Sequence, residues 1–303
     1  MVIAKLIEHE LPEYLIKTTI SYLQGRTFQT TIQDTLSTSF KIPAGVPQGS
    51  LLAPTLFTYF INDLPKHPNT ELALFADDTA IYSHSFKLNK ANDYLQRNIT
   101  EFEKFYNKWK IRVNTDKTKL IHFTKKTKEK NIKQLTFNND IIKTEKEIKY
   151  LGVILDSKLN FNSHINKVTS KATGAITALY PLLNRYSPLK KELKILLYKQ
   201  CILPILTYAC PVWSNTSKSN IEKLQKVQNR CLRMALNKNI RTKIKALHEE
   251  AKIQPVKERI LDLTQKFFDY NIKQINYTKN IGQWKKENCH FKIKHKLINQ
   301  ILL

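Results

Sequence analysis

The sequence predicts an α+β fold, with short strands and helices alternating in its first part and helices alone afterwards. Short β-branched and apolar runs bounded by turn residues recur up to Phe161. Beyond Phe161 the apolar residues recur at helical spacing instead. The 303 residues are 42% hydrophobic, which is enough for one large core or two modest ones. These patterns indicate a mixed unit followed by an all-helical one.

Four elements are predicted before residue 65, in the order helix, hairpin, loop and helix. Their bounds are Leu11–Leu23, Thr27–Gln33 joined to Thr38–Ile42 by a turn at 34–37, Pro43–Gly49, and Ser50–Leu64. Pro12 in the first turn and Gly25 beyond the end are typical limits of the first helix. Ser50 is a suitable N-cap for the second helix, and Pro65 ends it.

Strands surround one long helix between residues 72 and 155. The hairpin Leu72–Tyr82 contains two adjacent aspartates, and Leu88–Lys110 has the apolar spacing of an amphipathic helix. The other strands are predicted at Leu120–Phe123, at 135–137 paired with 141–142, and at Ile148–Leu155. After Phe161, helices are predicted at 164–184, 189–209, 218–237 and 255–275.

The charge of the chain is strongly positive and unevenly placed. The formal net charge is +25, which points to a polyanionic partner. Residues 1–100 contain 8 basic and 9 acidic residues, whereas residues 101–303 contain 42 basic and 16 acidic residues. A near-neutral section therefore precedes a basic one.

The four cysteines do not form a metal or redox motif. None is arranged as C-x-x-C, so a zinc knuckle is not expected, and their use suits a reducing, intracellular compartment. The sequence does not distinguish the nucleus from the cytoplasm, because Lys125–Lys130 resembles a weak nuclear signal but fits a solvated loop better. No secretory signal is visible, and no apolar stretch reaches about 18 residues, so no membrane partner is expected.

The adjacent aspartates Asp77 and Asp78 are the strongest chemical signal in the chain. They lie between two β-rich runs with no lysine or arginine beside them. Adjacent carboxylates repel each other unless a cation lies between them, and hard oxygen ligands suit Mg²⁺. Turn chemistry alone explains aspartates equally well, so the pair by itself leaves an ordinary acidic turn as the alternative.

Three segments together carry a resemblance to a known family. In chain order they are Ala44–Pro54, Phe75-Ala76-Asp77-Asp78, and Lys149–Val153. Their order and spacing resemble the reverse transcriptases of non-LTR (LINE-type) retrotransposons, most closely the jockey-like elements of animals. Weaker similarity covers Ser21–Phe28, Trp109–Lys119 and Ala209–Trp213, so the resemblance extends to about residue 240.

The resemblance implies an RNA-directed DNA polymerase with a characteristic domain order. Residues 1–157 are expected to form part of a polymerase palm, residues 158–240 a basic helical thumb, and residues 241–303 a C-terminal helical extension. The implied partners are an RNA template, a DNA primer and deoxynucleoside triphosphates. The implied cofactor is Mg²⁺, with Mn²⁺ as a substitute.

The resemblance also assigns residues to the reaction. Asp77 is expected to be a direct metal ligand and Asp78 the second carboxylate of a two-metal site. The expected nucleotide and template contacts are Pro47, Gln48, Gly49, Ser50, Phe75 and Ala76. Gln48 can donate and accept hydrogen bonds, and Gly49 permits close approach of the backbone. Phe75 is expected to pack beneath the acidic turn.

Two further assignments each have a structural alternative. Lys117 lies where the family has a lysine that protonates the departing pyrophosphate, or it is a solvated surface lysine. Tyr150, Leu151 and Gly152 are expected to form the primer grip, or they form an ordinary turn in the core.

The helices after Phe161 are expected to bind the phosphate backbone without sequence preference. The lysines considered as contacts are Lys167, Lys171, Lys190, Lys191 and Lys194, although a single surface lysine is more commonly a solvated charge than a phosphate contact. Tyr198, Tyr208 and Trp213 are either stacking platforms for bases or core residues, since aromatic residues at helical spacing commonly lie in a core.

In the family a third catalytic aspartate lies on a strand upstream of the segment that resembles residues 11–28. The sequence block that carries this aspartate is expected to be missing here, as are the fingers and an endonuclease domain. The isolated chain is therefore expected to be inactive as a polymerase, because the metals need carboxylates from several sources. Two other hypotheses remain. The chain acts as a nucleic-acid-binding remnant through its basic part, or a partner or an upstream reading frame supplies the carboxylate in trans.

Overall fold

The computed structural model describes residues 2–124, 132–274 and 298–302. These residues divide into two compact units. The first contains the described residues up to 120, those of 132–144, and 298–302, and the second contains 121–124 and 145–274. Lys125–Lys130, considered above as a nuclear signal, lies outside the described residues.

The first unit begins with helices and a narrow β-ribbon. Its elements up to residue 61 are α1 (Val2–Glu8), α2 (Glu13–Leu23), β1 (Thr27–Phe28), β2 (Thr31–Ile32), β3 (Thr35–Leu36), β4 (Phe40–Lys41) and α3 (Leu52–Ile61). Strand β1 pairs with β4, and β2 pairs with β3, both antiparallel. The turn lies at Gln33 and Asp34, which both have positive φ, and not at 34–37 as predicted. Two residues with positive φ form the tight turn that matches strand twist, so the ribbon closes earlier.

The remaining elements of the first unit are the strands of a five-stranded sheet, a separate two-stranded hairpin and a long helix, and two of the strands continue past residues 120 and 144. They are β5 (Glu71–Phe75), β6 (Asp78–Ser85), α4 (Leu88–Trp109), β7 (Lys119–Phe123), β8 (Thr136–Phe137), β9 (Asp140–Ile141), β10 (Lys143–Glu145) and β13 (Ile298–Leu302). The larger sheet has the order β10-β7-β13-β6-β5. Strand β13 pairs antiparallel with residues 81–85 of β6. The chain thus returns after more than two hundred residues to place a strand between β7 and β6.

A hydrophobic core joins the sheet to α3 and α4. Ile81 of β6, Ile61 of α3, and Leu95 and Ile99 of α4 belong to one buried cluster. The predicted amphipathic helix is therefore confirmed, because its apolar face is the face that packs on the sheet. The acidic hairpin and the loop before α3 both lead into this core.

The second unit contains one hairpin followed by helices. Its elements are β11 (Glu147–Tyr150), β12 (Val153–Asp156), α5 (Asn162–Ala178), α6 (Tyr180–Leu183), α7 (Lys191–Leu197), a π-helical segment (Tyr198–Ile202), α8 (Leu203–Thr207), α9 (Cys210–Trp213), α10 (Lys218–Ala235), α11 (Ile244–Ala251) and α12 (Val256–Gln274). The single strand predicted at Ile148–Leu155 is wrong, because Leu151 and Gly152 have positive φ and reverse the chain between β11 and β12. Helix α11 was not predicted.

The core of the second unit is lined by α5, α8 and α10. Ile165, Leu206 and Leu224 are fully buried there, together with Trp213 and Tyr198. The predicted helix at 189–209 is interrupted by the π-helical segment, and Pro204 lies in the first turn of the helix that follows it. No helix in the described part of the chain is long and apolar enough to cross a membrane. The mixture of helices and antiparallel strands confirms the α+β class.

Candidate functional site

The acidic turn Ala76-Asp77 connects β5 to β6 in a two-residue hairpin. Phe75 and Asp78 are paired across the two strands, and Ala76 has a φ of 51°. Such tight turns with positive φ suit the twist of a hairpin and hold the flanking side chains in fixed positions. The backbone therefore fixes where Asp77 and Asp78 emerge from the sheet.

Asp77 and Asp78 are exposed and unpaired. Among the described residues, neither carboxylate makes a hydrogen bond or an ion pair. Two adjacent carboxylates with free oxygens suit a hard divalent cation, which keeps water and substrate oxygens in its remaining positions. Phe75 is 62% exposed, so the prediction that it packs beneath the turn is wrong. Phe75 belongs to β5, which lies at the edge of the sheet and pairs only with β6 there, so the ring is left uncovered at that edge.

The loop before α3 is held by side chains from the preceding segment. Arg26 donates a hydrogen bond of 2.6 Å from Nη2 to the carbonyl of Gly45 and one of 3.0 Å from Nε to Leu23. The hydroxyl of Tyr22 donates to Oγ of Ser50. Tyr22 and Arg26 were not predicted to have a functional part, although both lie in the segment of weaker similarity.

Ser50 closes the loop onto the helix. Its Oγ accepts a hydrogen bond of 3.2 Å from the backbone N–H of Ala53 and donates one of 3.1 Å to Pro47. Ser50 thus makes a capping hydrogen bond, although it lies two residues before the first helical residue and Leu51 occupies the N-cap position. Gln48 is exposed, and Gly49 has a φ of 82°, which favours glycine. The loop thus presents an exposed amide side chain from a fixed backbone.

A cleft of about 490 Å³ lies at the end of α4. Tyr106 and Phe137 contribute aromatic rings to it, and Lys110 and Arg112 contribute positive charge. Burial raises the pKa of the Tyr106 phenol, and a hydrogen bond with Thr79 partly offsets this effect. Tyr106 therefore connects the cleft to the strand that begins at Asp78.

Lys117 lies close to this cleft in sequence but does not line it. Its backbone N–H donates to the Oδ1 of Asn114 at 3.2 Å, and its side chain is exposed. Thr115 lines the cleft and donates a hydrogen bond of 3.2 Å to Oδ2 of Asp140. Nothing in this geometry distinguishes the catalytic assignment of Lys117 from a solvated lysine.

In the second unit, the turn Tyr150-Leu151-Gly152 is fastened to the helices. Tyr208 donates a hydrogen bond of 2.9 Å to the carbonyl of Leu151. Trp213 Nε1 in turn donates to the carbonyl of Tyr208 at 2.9 Å. Trp213 and Tyr198 are fully buried, so both are core residues and not stacking platforms for bases.

The basic residues considered as phosphate contacts differ in their surroundings. Lys167, Lys171 and Lys190 are exposed, and Lys191 forms an ion pair of 3.3 Å with Glu250. Lys194 is only 4% exposed and donates a hydrogen bond of 2.6 Å to the carbonyl of Asn184. A direct phosphate contact by Lys194 is therefore excluded by its burial in this conformation.

Comparison with known proteins identifies the class. Residues 2–155 match the family described as reverse transcriptase (RNA-dependent DNA polymerase), and the chain belongs to that family. The resemblance to polymerases of jockey-like, non-LTR mobile elements is confirmed by its relatives.

Three relatives show how much of the chain is shared. The probable RNA-directed DNA polymerase from transposon BS of Drosophila melanogaster is 32% identical over 82% of this chain and 28% of its own length. The RNA-directed DNA polymerase from mobile element jockey of the same species is 28% identical over 89% of this chain and 30% of its own length. The probable polymerase from transposon X-element of that species is 28% identical over 87% and 29%. The chain thus spans less than a third of these relatives.

Proposed function

We propose that this chain supplies part of the palm and the thumb of an RNA-directed DNA polymerase from a mobile element. The single observation that carries the proposal is the exposed, unpaired Asp77-Asp78 hairpin within a region that matches the reverse transcriptase family. In that role Asp77 and Asp78 would hold Mg²⁺, or Mn²⁺ in its place, together with oxygen atoms of the substrate and another carboxylate. When bound, the metal would supply Lewis-acid chemistry at the α-phosphate of the nucleotide and at the primer hydroxyl.

The other site residues bind and orient the substrates. The loop from Pro47 to Ser50 contacts nucleotide and template, with Gln48 able to donate and accept at once. The turn Tyr150-Leu151-Gly152 holds the primer end through backbone groups, and Lys117 donates a proton to the pyrophosphate. The fixed backbone of both segments supports these assignments, because orientation requires rigid elements.

The test uses a protein with the domain content of the longer relatives, carrying this sequence as its palm and thumb. We expect Asp77→Ala to abolish primer extension on an RNA template and to leave binding of the primer–template duplex within about twofold, because the carboxylate acts on the metal. Asp93→Ala is the control, at a half-buried aspartate on α4 that pairs with Lys133 at 2.7 Å, and it is expected to retain synthesis. Near-normal synthesis by the Asp77 variant would overturn the metal assignment.

A second function is favoured by the charge distribution. The 303-residue chain alone is expected to bind nucleic acid without extending a primer, because no third metal-ligating side chain lies with Asp77 and Asp78 among the described residues. Its affinity for a primer–template duplex is expected to fall steeply with salt, as phosphate binding requires. Robust synthesis by the purified chain alone would contradict this expectation, and absence of binding at low salt would remove the binding function.

A further inference from the structure

Of the three aromatic residues considered for base stacking, Tyr198 and Trp213 lie in the core, and Tyr208 is 56% exposed but uses its hydroxyl to hold Leu151. Tyr186, in the loop between α6 and α7, is 78% exposed. We propose that this loop, Asn184–Ser187, binds single-stranded nucleic acid by stacking one unpaired base on the ring of Tyr186. The inference rests on the nucleic-acid-binding function proposed above and names a contact for it.

The loop is rigid because Asn184 organises its backbone. The Oδ1 of Asn184 accepts hydrogen bonds from the N–H groups of Tyr186 at 2.7 Å and Ser187 at 3.0 Å. Its Nδ2 donates to the carbonyls of Tyr180 at 3.0 Å and Pro181 at 3.2 Å. An exposed tyrosine on a fixed backbone loses little conformational freedom when a ligand binds.

Arg185 lies beside the ring of Tyr186 and leaves one face of the ring free for stacking. The guanidinium carbon lies 4.6 Å from the ring centroid, and Nη2 donates a hydrogen bond to the Tyr186 hydroxyl, so the group occupies one side of the ring. A planar base can then stack on the opposite face, and the other N–H groups of the guanidinium remain able to bind a phosphate. Stacking combined with positive charge is the usual way in which single strands are bound without sequence preference.

A buried positive charge beneath the loop is the second, independent observation. The ammonium of Lys194 donates to the carbonyl of Asn184 and forms no ion pair with any described carboxylate. A buried ammonium without a counter-charge is costly, and a nearby anion reduces that cost. Lys190 at the start of α7 is exposed and adds a further positive charge. The loop therefore favours a phosphate-bearing ligand over a neutral one.

The experiment compares two probes with the 303-residue chain at low salt. One is an RNA–DNA duplex with a single-stranded RNA overhang that contains 2-aminopurine, and the other is the same duplex with blunt ends. We expect Tyr186→Ala to weaken binding of the overhang probe about tenfold and to reduce 2-aminopurine quenching, as loss of one stacked base requires. Binding of the blunt duplex should change less than about twofold. Tyr186→Trp should restore both signals.

The matched control is Tyr14→Ala, which removes a 68% exposed tyrosine from α2, outside the basic loop. It should leave both probes unaffected. Equal effects of the two alanine variants on the overhang probe would overturn the proposal, and so would equal weakening of the blunt duplex by Tyr186→Ala. If the unchanged chain binds neither probe, the binding function itself fails. If it binds both with the same affinity and without quenching, only the stacking contact fails.

Discussion

The hydroxyl of Tyr208 donates a hydrogen bond to the carbonyl oxygen of Leu151, at a distance of 2.9 Å. The two residues are 57 positions apart, so this contact fastens the turn between β11 and β12 to the helical part of the same unit. Leu151 has a φ of 43°, a conformation that costs a residue with a side chain about 1–2 kcal/mol. Tyr208 thus supports a strained turn from outside the hairpin.

Removal of this hydroxyl should loosen the turn without disturbing the core. We expect Tyr208→Phe to lower the free energy of unfolding by about 0.5 kcal/mol, at the low end for a hydrogen bond because Tyr208 is 56% exposed. Hydrogen exchange at the amide of Gly152 should become faster. Tyr180→Phe, at another exposed tyrosine, is the control and should change neither quantity. Identical effects of the two variants would show that the hydrogen bond does not hold the turn.

Gly152 should tolerate alanine less well than a glycine in open space. It has a φ of 83°, and an added Cβ would lie 3.0 Å from Cε1 of Tyr208. Gly45 has a φ of 88° with open space around it, so Gly45→Ala measures the backbone cost alone, about 1–2 kcal/mol. We expect Gly152→Ala to cost more than Gly45→Ala in urea unfolding. Adding Tyr208→Ala should recover the difference, and failure to recover it would exclude crowding as the cause.

Only the family resemblance indicated a hairpin at β11 and β12, and the local sequence pattern missed it for a physical reason. The run Ile148–Leu155 is apolar and β-branched around Leu151 and Gly152, and local preference disfavours positive φ at a leucine. The contact with Tyr208 supports that conformation, and a contact 57 residues away cannot be read from local periodicity. The amphipathic helix α4 was predictable because its periodic face itself packs in the core.

In the candidate site, too, some features were predictable from the local sequence and others were not. The acidic turn and the cap at Ser50 follow from local chemistry, so residue types and spacing were sufficient to predict them. The exposure of Phe75 and the burial of Lys194 depend on which neighbouring elements cover each residue. A sequence does not state those neighbours, and both predictions were therefore wrong.

Lys5 should be a major determinant of stability in the first unit. Its side chain is fully buried, with Nζ between 4.5 and 4.7 Å from the ring centroids of Phe60, Phe105 and Trp109. Nζ also donates to Asp63 and to the carbonyl of Phe60. Removal of the Asp63 carboxylate would leave the buried ammonium of Lys5 without a counter-charge, which is costly.

We therefore expect Asp63→Ala to lower the free energy of unfolding by about 1–3 kcal/mol, less than for a fully buried pair because the carboxylate is 42% exposed. Thermal or urea unfolding measures this loss. The control is Glu13→Ala, which removes the carboxylate of an exposed ion pair with Lys17 and should cost less than about 0.5 kcal/mol. A double variant with Lys5→Met should recover part of the loss, because no buried charge remains. If it recovers nothing, the uncompensated ammonium is not the cause.

His164 should make the second unit less stable in mild acid. Burial lowers the pKa of its imidazole, and the charge of Lys167 lowers it further. Its Nδ1 accepts a hydrogen bond of 3.3 Å from the backbone N–H of Ile154, which requires an unprotonated nitrogen. The unfolded chain therefore binds a proton near the ordinary pKa of about 6.5, where the folded chain remains neutral. The neutral histidine's contribution is complete above that pKa and is lost progressively as the pH falls below it.

We expect the free energy of unfolding to decrease from about pH 6.5 downwards, and this decrease to be smaller in His164→Gln. Urea unfolding at a series of pH values measures the difference between the two proteins, which cancels the titration of the other histidines. The variant itself should be less stable at neutral pH, because His164 also packs 5.7 Å from the ring centroid of buried Trp213. Parallel profiles for the unchanged chain and His164→Gln would show that this imidazole is not held neutral by the fold.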